Sequence, residues 1–283
     1  MNSKLSPLIT IDELFKLKSS ALDLVIVDVQ NGKNALENYN HKHLDGAVFI
    51  DLNTDLATIE EDLSKGGRHP LPSIDKFSKL LGSIGISAET HVVIYDDKNG
   101  ANAAARFWWM LKSVGHKNVQ VLNGGLQIAE KSKFPLSSIS FKNPIPTTYP
   151  IDGWKLRTIM MSEVEKASST NDYLIIDVRE AKRYKGEIEP IDLIAGHIPG
   201  AINIPFTENL DEDGFFLDQN VLKNKYESAF GMIKAENIIV HCGSGVTACH
   251  TLLAIAYTGL EIPNLYVGSW SEWSRNGKAV RTI

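Results

Sequence analysis

The chain repeats itself, and no other feature narrows its fold as much. Leu24-Val25-Ile26-Val27-Asp28-Val29 returns as Leu174-Ile175-Ile176-Asp177-Val178-Arg179. Both are short apolar runs rich in β-branched residues that close on an Asp, the pattern of a buried strand. His43-Leu44-Asp45-Gly46-Ala47-Val48-Phe49-Ile50 returns as His197-Ile198-Pro199-Gly200-Ala201-Ile202-Asn203-Ile204. Val92-Val93-Ile94-Tyr95-Asp96, with a helical stretch through Ala103 to Trp109, returns as Ile238-Ile239-Val240-His241-Cys242, with a helical stretch from Ala248 to Tyr257. Val119-Gln120-Val121-Leu122-Asn123-Gly124-Gly125 is answered by Leu265-Tyr266-Val267-Gly268-Ser269-Trp270. Four blocks in one order imply two copies of one α/β unit. Strands alternating with amphipathic helices predict a mostly parallel sheet in each copy, covered by helices on both faces. Pro135, Pro144, Pro146 and Pro150 lie in a stretch without helical period, which reads as an extended linker. The predicted domains are residues 1–145 and 146–283, and 283 residues are ample for two.

Composition removes several classes of function. The net charge is -5 with both signs interspersed, so no basic stripe marks a nucleic-acid surface. No run of about 18 apolar residues predicts a membrane span, and the opening MNSKLSPLITIDELFKL has no apolar core of a signal peptide. Cys242 and Cys249 are the only cysteines, too few for a disulfide framework, and a reducing cytoplasm is the expected setting.

The two copies differ where chemistry belongs. The strand that ends at Asp96 in the first copy ends at Cys242 in the second, followed by Gly243-Ser244-Gly245-Val246-Thr247. In open α/β sheets, ligands bind beyond the carboxyl ends of the strands. Two glycines let the chain curl so that successive N–H groups turn inward as an anion nest, and the next helix adds its positive end. Such a loop favours thiolate over thiol and would equally hold a persulfide anion. A lone cysteine is more often inert core filling. That reading suits Cys249, inside the predicted helix, but not a cysteine at a strand end before Gly-x-Gly.

Cys242-Gly243-Ser244-Gly245-Val246-Thr247-Ala248 resembles the active-site loop of the rhodanese superfamily, and within it the branch that uses 3-mercaptopyruvate. The thiosulfate branch usually has Arg-Lys after the cysteine. The likeness extends along nearly the whole chain, through His197-Ile198-Pro199-Gly200-Ala201, Trp108-Trp109 and Gly268-Ser269-Trp270. It implies a first copy without a catalytic cysteine, which Asp96 matches. It implies that Arg183 binds the substrate anion, where the bland reading of the residue is a solvated surface arginine. Some members of the branch carry a second arginine in a Glu-Pro-Arg segment, where this chain has Glu189-Pro190-Ile191. Some pair an Asp with a His beside the loop serine; His69 matches the His, and Asn53 stands at the Asp position. Val267 replaces the usual Asp before Gly-Ser-Trp.

The implied activity is a sulfurtransferase with two half-reactions. Cys242 takes sulfur from a small-molecule donor and passes it to a thiol, thioredoxin among the candidates, or to cyanide. No metal or organic cofactor is implied. Mercaptopyruvate is the expected donor and thiosulfate the alternative; a non-catalytic sulfur carrier or regulatory module is the alternative of another class. A His-Cys-x5-Arg phosphatase loop fails because Ala248 stands where its closing arginine belongs. Gly243-x-Gly245-x-x-Ala248 fits a dinucleotide pattern only in a late turn of its repeat. His241, Cys242, Cys249 and His250 match no common zinc spacing.

Overall fold

The computed structural model describes residues 5–20, 23–141 and 146–283. The expected boundary near residue 145 and the linker around Pro144 lie outside the described residues, as does the start of the amino-terminal stretch, Met1 to Lys4. The chain divides into two compact units. One comprises Met1–Ala57, Pro72–Lys155 and Asp213–Phe215; the other comprises Thr58–Leu71, Leu156–Glu212 and Phe216–Ile283. Residues 58–71, ahead of the second copy in sequence, therefore pack with it.

The first unit runs β1 (Leu8–Ile9), α1 (Ile11–Ser19), β2 (Leu24–Gln30), α2 (Ala35–His41), β3 (His43–Leu44), β4 (Val48–Asp51), α3 (Ile74–Ser83), β5 (His91–Tyr95), α4 (Ala103–Ser113), β6 (Val119–Leu122), α5 (Gly125–Lys131) and β7 (Leu136–Ser137). Its main sheet has the order β1-β6-β5-β2-β4, and every pairing is parallel. Helices cover both faces, so Val92, Val93, Ile94 and Tyr95 are all fully buried. Thr10 and Glu13 cap α1 reciprocally, each side chain taking the other's backbone N–H.

The second unit runs α6 (Met161–Ala167), β8 (Leu174–Asp177), α7 (Ala181–Lys185), β9 (Ile202–Asn203), α8 (Gln219–Phe230), β10 (Ile238–His241), α9 (Thr247–Tyr257), β11 (Asn264–Leu265) and α10 (Ser269–Trp273). Its sheet, again all parallel, has the order β11-β10-β8-β9. That is the order β6-β5-β2-β4 of the first unit. A parallel bridge from Thr158 to Leu265 stands where β1 pairs β6. Among the described residues no helix is long and apolar enough to cross a membrane.

Small packing details repeat as well. Tyr39 stacks on His43 at 3.9 Å between ring centroids, and Tyr184 stacks on His197 at 3.9 Å. Each tyrosine hydroxyl donates to the carbonyl of the alanine in its block, Ala47 or Ala201, and the tyrosine's own carbonyl bonds Nδ1 of the stacked histidine. The stacked Tyr39–His43 and Tyr184–His197 pairs are thus buried clasps that close the turn into the next strand.

Candidate active site

Strand register puts the differing residues in equivalent places. Asp28 on β2 pairs with Tyr95 on β5, and Asp177 on β8 pairs with His241 on β10. The next residues, Asp96 and Cys242, stand at the carboxyl ends of matching strands.

In the first unit, Asp96 is buried, and its carboxylate accepts N–H bonds from Lys98, Gly100, Asn102 and Ala104 at 2.7–3.2 Å. A loop of this design gathers backbone N–H groups around one anion, and here the anion is the protein's own side chain. Burial pushes the Asp96 carboxyl up from its ordinary range, and the four N–H bonds oppose that.

In the second unit, Cys242 is 1% exposed. The Gly268-Ser269-Trp270 block holds its backbone. Ser269 Oγ accepts the Cys242 N–H at 3.2 Å and donates to the Tyr266 carbonyl at 2.8 Å. Trp270 N–H bonds the Cys242 carbonyl at 3.0 Å, and Ser271 N–H bonds the Gly243 carbonyl at 2.8 Å. Ser269 takes a left-handed φ of 53° to do so, a strained conformation for a side-chain-bearing residue. Gly245 has φ +73°, and a Cβ there would lie 2.6 Å from the Val267 carbonyl, so only glycine fits the curl. Val267 thus supplies the carbonyl against which the loop turns. Val246 precedes α9, and Thr247 begins it. Cys249 is fully buried in α9, and its Sγ donates to the Gly245 carbonyl at 3.2 Å.

Arg183 is no solvated surface residue. It is 6% exposed and lies in the middle of α7, bound to Glu189 through Nε (3.2 Å) and Nη2 (2.7 Å) and to Asp192 through Nη2 (3.2 Å). Burial opposes its charge, but Glu189 and Asp192 outweigh that and hold the guanidinium above its ordinary pKa. Ile191, at the position of the second arginine in some related sequences, is exposed. Arg68 was not singled out in the sequence. It donates to both oxygens of Asp192 at 3.1 and 3.2 Å. A Cβ at Gly243 would stand 2.9 Å from Arg68 Nη2 and 3.6 Å from Arg183 Nη2, so both guanidiniums flank the residue after Cys242. The loop's own side chains are neutral, and these two arginines supply its positive charge.

His69, from the same 58–71 segment, places Nδ1 2.7 Å from Ser244 Oγ. Asn53 lies in the first unit, where its N–H bonds Asp51. The structure thus brings together Cys242, Gly243, Ser244, Gly245, Val246, Thr247, Arg183 and His69, and adds Arg68, Glu189 and Asp192. The Gly66-Gly67 pair before Arg68 was the available signal. A Cβ at Gly67 would stand 2.4 Å from the Gly268 carbonyl, so this segment needs glycine to lie against the Gly-Ser-Trp turn.

Comparison with known proteins accords with the two-copy fold. The profile of the Rhodanese-like domain matches residues 10–128 and again 160–276. The chain is 35% identical over 262 residues to a probable 3-mercaptopyruvate sulfurtransferase of Pseudomonas aeruginosa, covering 89% of each chain. It is 36% identical over 249 residues to a thiosulfate sulfurtransferase of Cricetulus griseus, covering 85% of this chain and 80% of that one. Among solved structures it resembles a 3-mercaptopyruvate sulfurtransferase from Leishmania major, with TM-score 0.82 and 29% identity over 96% of this chain and 75% of the other.

Proposed function

Because the chain belongs to the rhodanese-like family of sulfurtransferases, with two copies of the domain, we propose that it moves sulfur from 3-mercaptopyruvate to a thiol through a persulfide on Cys242. The observation that carries this reading is the placement of Cys242 at the end of β10, with Arg183 and Arg68 flanking the adjacent Gly243.

In the first half-reaction, the Cys242 thiolate attacks the donor's sulfur. A sulfur–sulfur bond forms, the carbon–sulfur bond breaks, and its electron pair leaves on the pyruvate enolate. The proton of the transferred sulfhydryl ends on the enolate carbon, giving pyruvate and a persulfide anion. Arg183 and Arg68 hold the donor carboxylate by charge-assisted hydrogen bonds. Ser244, oriented by His69, donates to the carbonyl oxygen as it gains charge. The curled Gly243–Thr247 backbone then holds the persulfide as the first unit's loop holds the Asp96 carboxylate. In the second half-reaction, an acceptor thiolate attacks the outer sulfur and Cys242 leaves as thiolate, a ping-pong pattern.

A dithiol protein of the thioredoxin kind fits the acceptor role, and a cytoplasmic setting belongs to the same proposal, as does a functional division near residue 145 with residues 58–71 added to the catalytic half. Thiosulfate is the second donor, favoured by the similarity to thiosulfate sulfurtransferases; its sulfane sulfur would pass to Cys242 with sulfite leaving. A non-catalytic carrier would load sulfur but turn over slowly. Steady-state kcat/KM for both donors on one preparation tests the proposal. Mercaptopyruvate is expected to be preferred; a higher value for thiosulfate reverses the donor assignment, and turnover of neither favours the carrier.

A further inference from the structure

The geometry points to Asp192 as the residue that sets donor specificity, because its carboxylate offsets the positive charge of the two arginines beside Gly243 and tunes the subsite to a monoanion. The inference rests on the donor reading above and extends it.

Asp192 is a charge shared three ways. Its side chain is fully buried and accepts from Arg68, Arg183 and Arg275. Arg68 binds both oxygens, Arg183 Nη2 binds Oδ2 at 3.2 Å, and Arg275 Nη1 binds Oδ1 at 3.1 Å. Arg275 is fixed in turn by the Ser271 carbonyl at 2.8 Å. Glu189 accepts from Arg183 and holds the Asp192 backbone N–H at 3.0 Å. Arg179 also reaches Glu189, but Asp177 matches its charge at 2.6 Å. Within this ion-paired cluster, among the described residues, three guanidiniums face two carboxylates, which leaves one positive charge in excess.

Asp192 also lies close to the reacting site. A Cβ at Gly243 would stand 3.6 Å from Asp192 Oδ2, the same separation as from Arg183 Nη2. A donor anion lying against Gly243 therefore meets the arginines and feels this carboxylate together. Coulomb energy scales with the product of the charges, so a buried carboxylate opposes a dianion about twice as strongly as a monoanion at equal distance. Mercaptopyruvate brings one carboxylate; thiosulfate is a dianion. Asp192 thus penalises thiosulfate more, and neutralising it removes more of the penalty from thiosulfate.

The test measures kcat/KM for both donors in wild type, Asp192→Asn, Asp192→Glu and Arg275→Gln, with the mass of the donor-treated protein as a second readout. Asp192→Asn should lower the mercaptopyruvate-to-thiosulfate ratio about tenfold or more. Asp192→Glu keeps the charge and should restore the ratio to within about threefold of wild type, even where both rates fall. Arg275→Gln removes one positive charge and should move the ratio the other way, with thiosulfate losing more. If Asp192→Asn does not fold, the Arg275→Gln shift carries the test. An unmoved ratio in the foldable variants, or equal shifts in Asn and Glu, overturns the inference alone, provided wild type gains sulfur from both donors. A wild type that gains sulfur on Cys242 from neither donor overturns the donor reading itself.

Discussion

His69 Nδ1 lies 2.7 Å from Ser244 Oγ, which joins two residues 175 positions apart in the chain. The contact places an imidazole behind the hydroxyl next to the reactive loop, an arrangement that polarises the hydroxyl toward a carbonyl oxygen gaining charge. Ser244→Ala and His69→Ala should each lower kcat/KM for mercaptopyruvate about tenfold, since a hydrogen bond to a developing charge contributes roughly 1.5 kcal/mol or more. The two residues act as a unit, so the double variant should be within about threefold of the worse single variant. Multiplicative losses would show that they act independently. Thiosulfate has no carbonyl, so its kcat/KM should change much less.

Arg183→Ala should lower kcat/KM for mercaptopyruvate by roughly ten- to a hundred-fold. The substitution also strips Glu189 and Asp192 of a buried partner, so thermal stability should fall in parallel. Arg183→Lys separates the two effects: it retains the charge but not the fork that reaches both carboxylates. Its stability should lie nearer wild type while its kcat/KM stays at least several-fold low. Equal kcat/KM in wild type and both variants would remove Arg183 from the substrate site.

The repeat, both parallel sheets and the curled loop after β10 were legible in the sequence because each rests on local pattern. Runs such as Val92–Ile94 are buried on both faces, and the curl Gly243-Ser244-Gly245 needs glycine at its last position, where φ is positive and a Cβ would meet the Val267 carbonyl. Arg183 was legible only through family resemblance; taken alone, its sequence context suits a surface position. Arg68 was missed because what matters about it is a partner far along the chain. The Gly66-Gly67 pair hints that residues 58–71 lie close against other backbone, but it does not say that they pack with the second unit or that Asp192 receives the guanidinium. Gly268-Ser269-Trp270 was recognised as a repeated block, but its work, holding both the N–H and the carbonyl of Cys242, emerges only in three dimensions.

Asp96 gives a stability prediction confined to the first unit. Asp96→Ala leaves four N–H groups around an empty nest. Unsatisfied buried donors cost about 1–3 kcal/mol each before solvent enters, so the variant should lose roughly 2–4 kcal/mol of stability. Sulfur loading of Cys242 by the folded fraction should persist. Unchanged denaturant unfolding would mean that the Asp96 bonds contribute little.

Asp28 gives a pH prediction. Burial, opposed by the Tyr95 hydrogen bond, pushes its carboxyl up to about 7. A folded-state value above the unfolded one means that the protonated form favours folding, fully below about pH 4, and that this contribution is lost as pH rises through about 7. Between pH 5 and pH 8 the loss amounts to about 2–3 kcal/mol. Asp28→Asn lacks this titration, so relative to the variant the wild type should weaken from pH 5 to pH 8. Thermal melts of both proteins at the two pH values check it; a constant difference would contradict the assignment.

The central claim is that sulfur resides on Cys242, and intact-protein mass after incubation with mercaptopyruvate tests it most directly. Cys249 sits in α9 as a prop for the Gly245 carbonyl, and a serine hydroxyl there still donates. Wild type and Cys249→Ser should each gain the mass of one sulfur atom, lost again on adding a thiol, while Cys242→Ser gains none. Sulfur retained on Cys242→Ser, or lost from Cys249→Ser, would contradict the account.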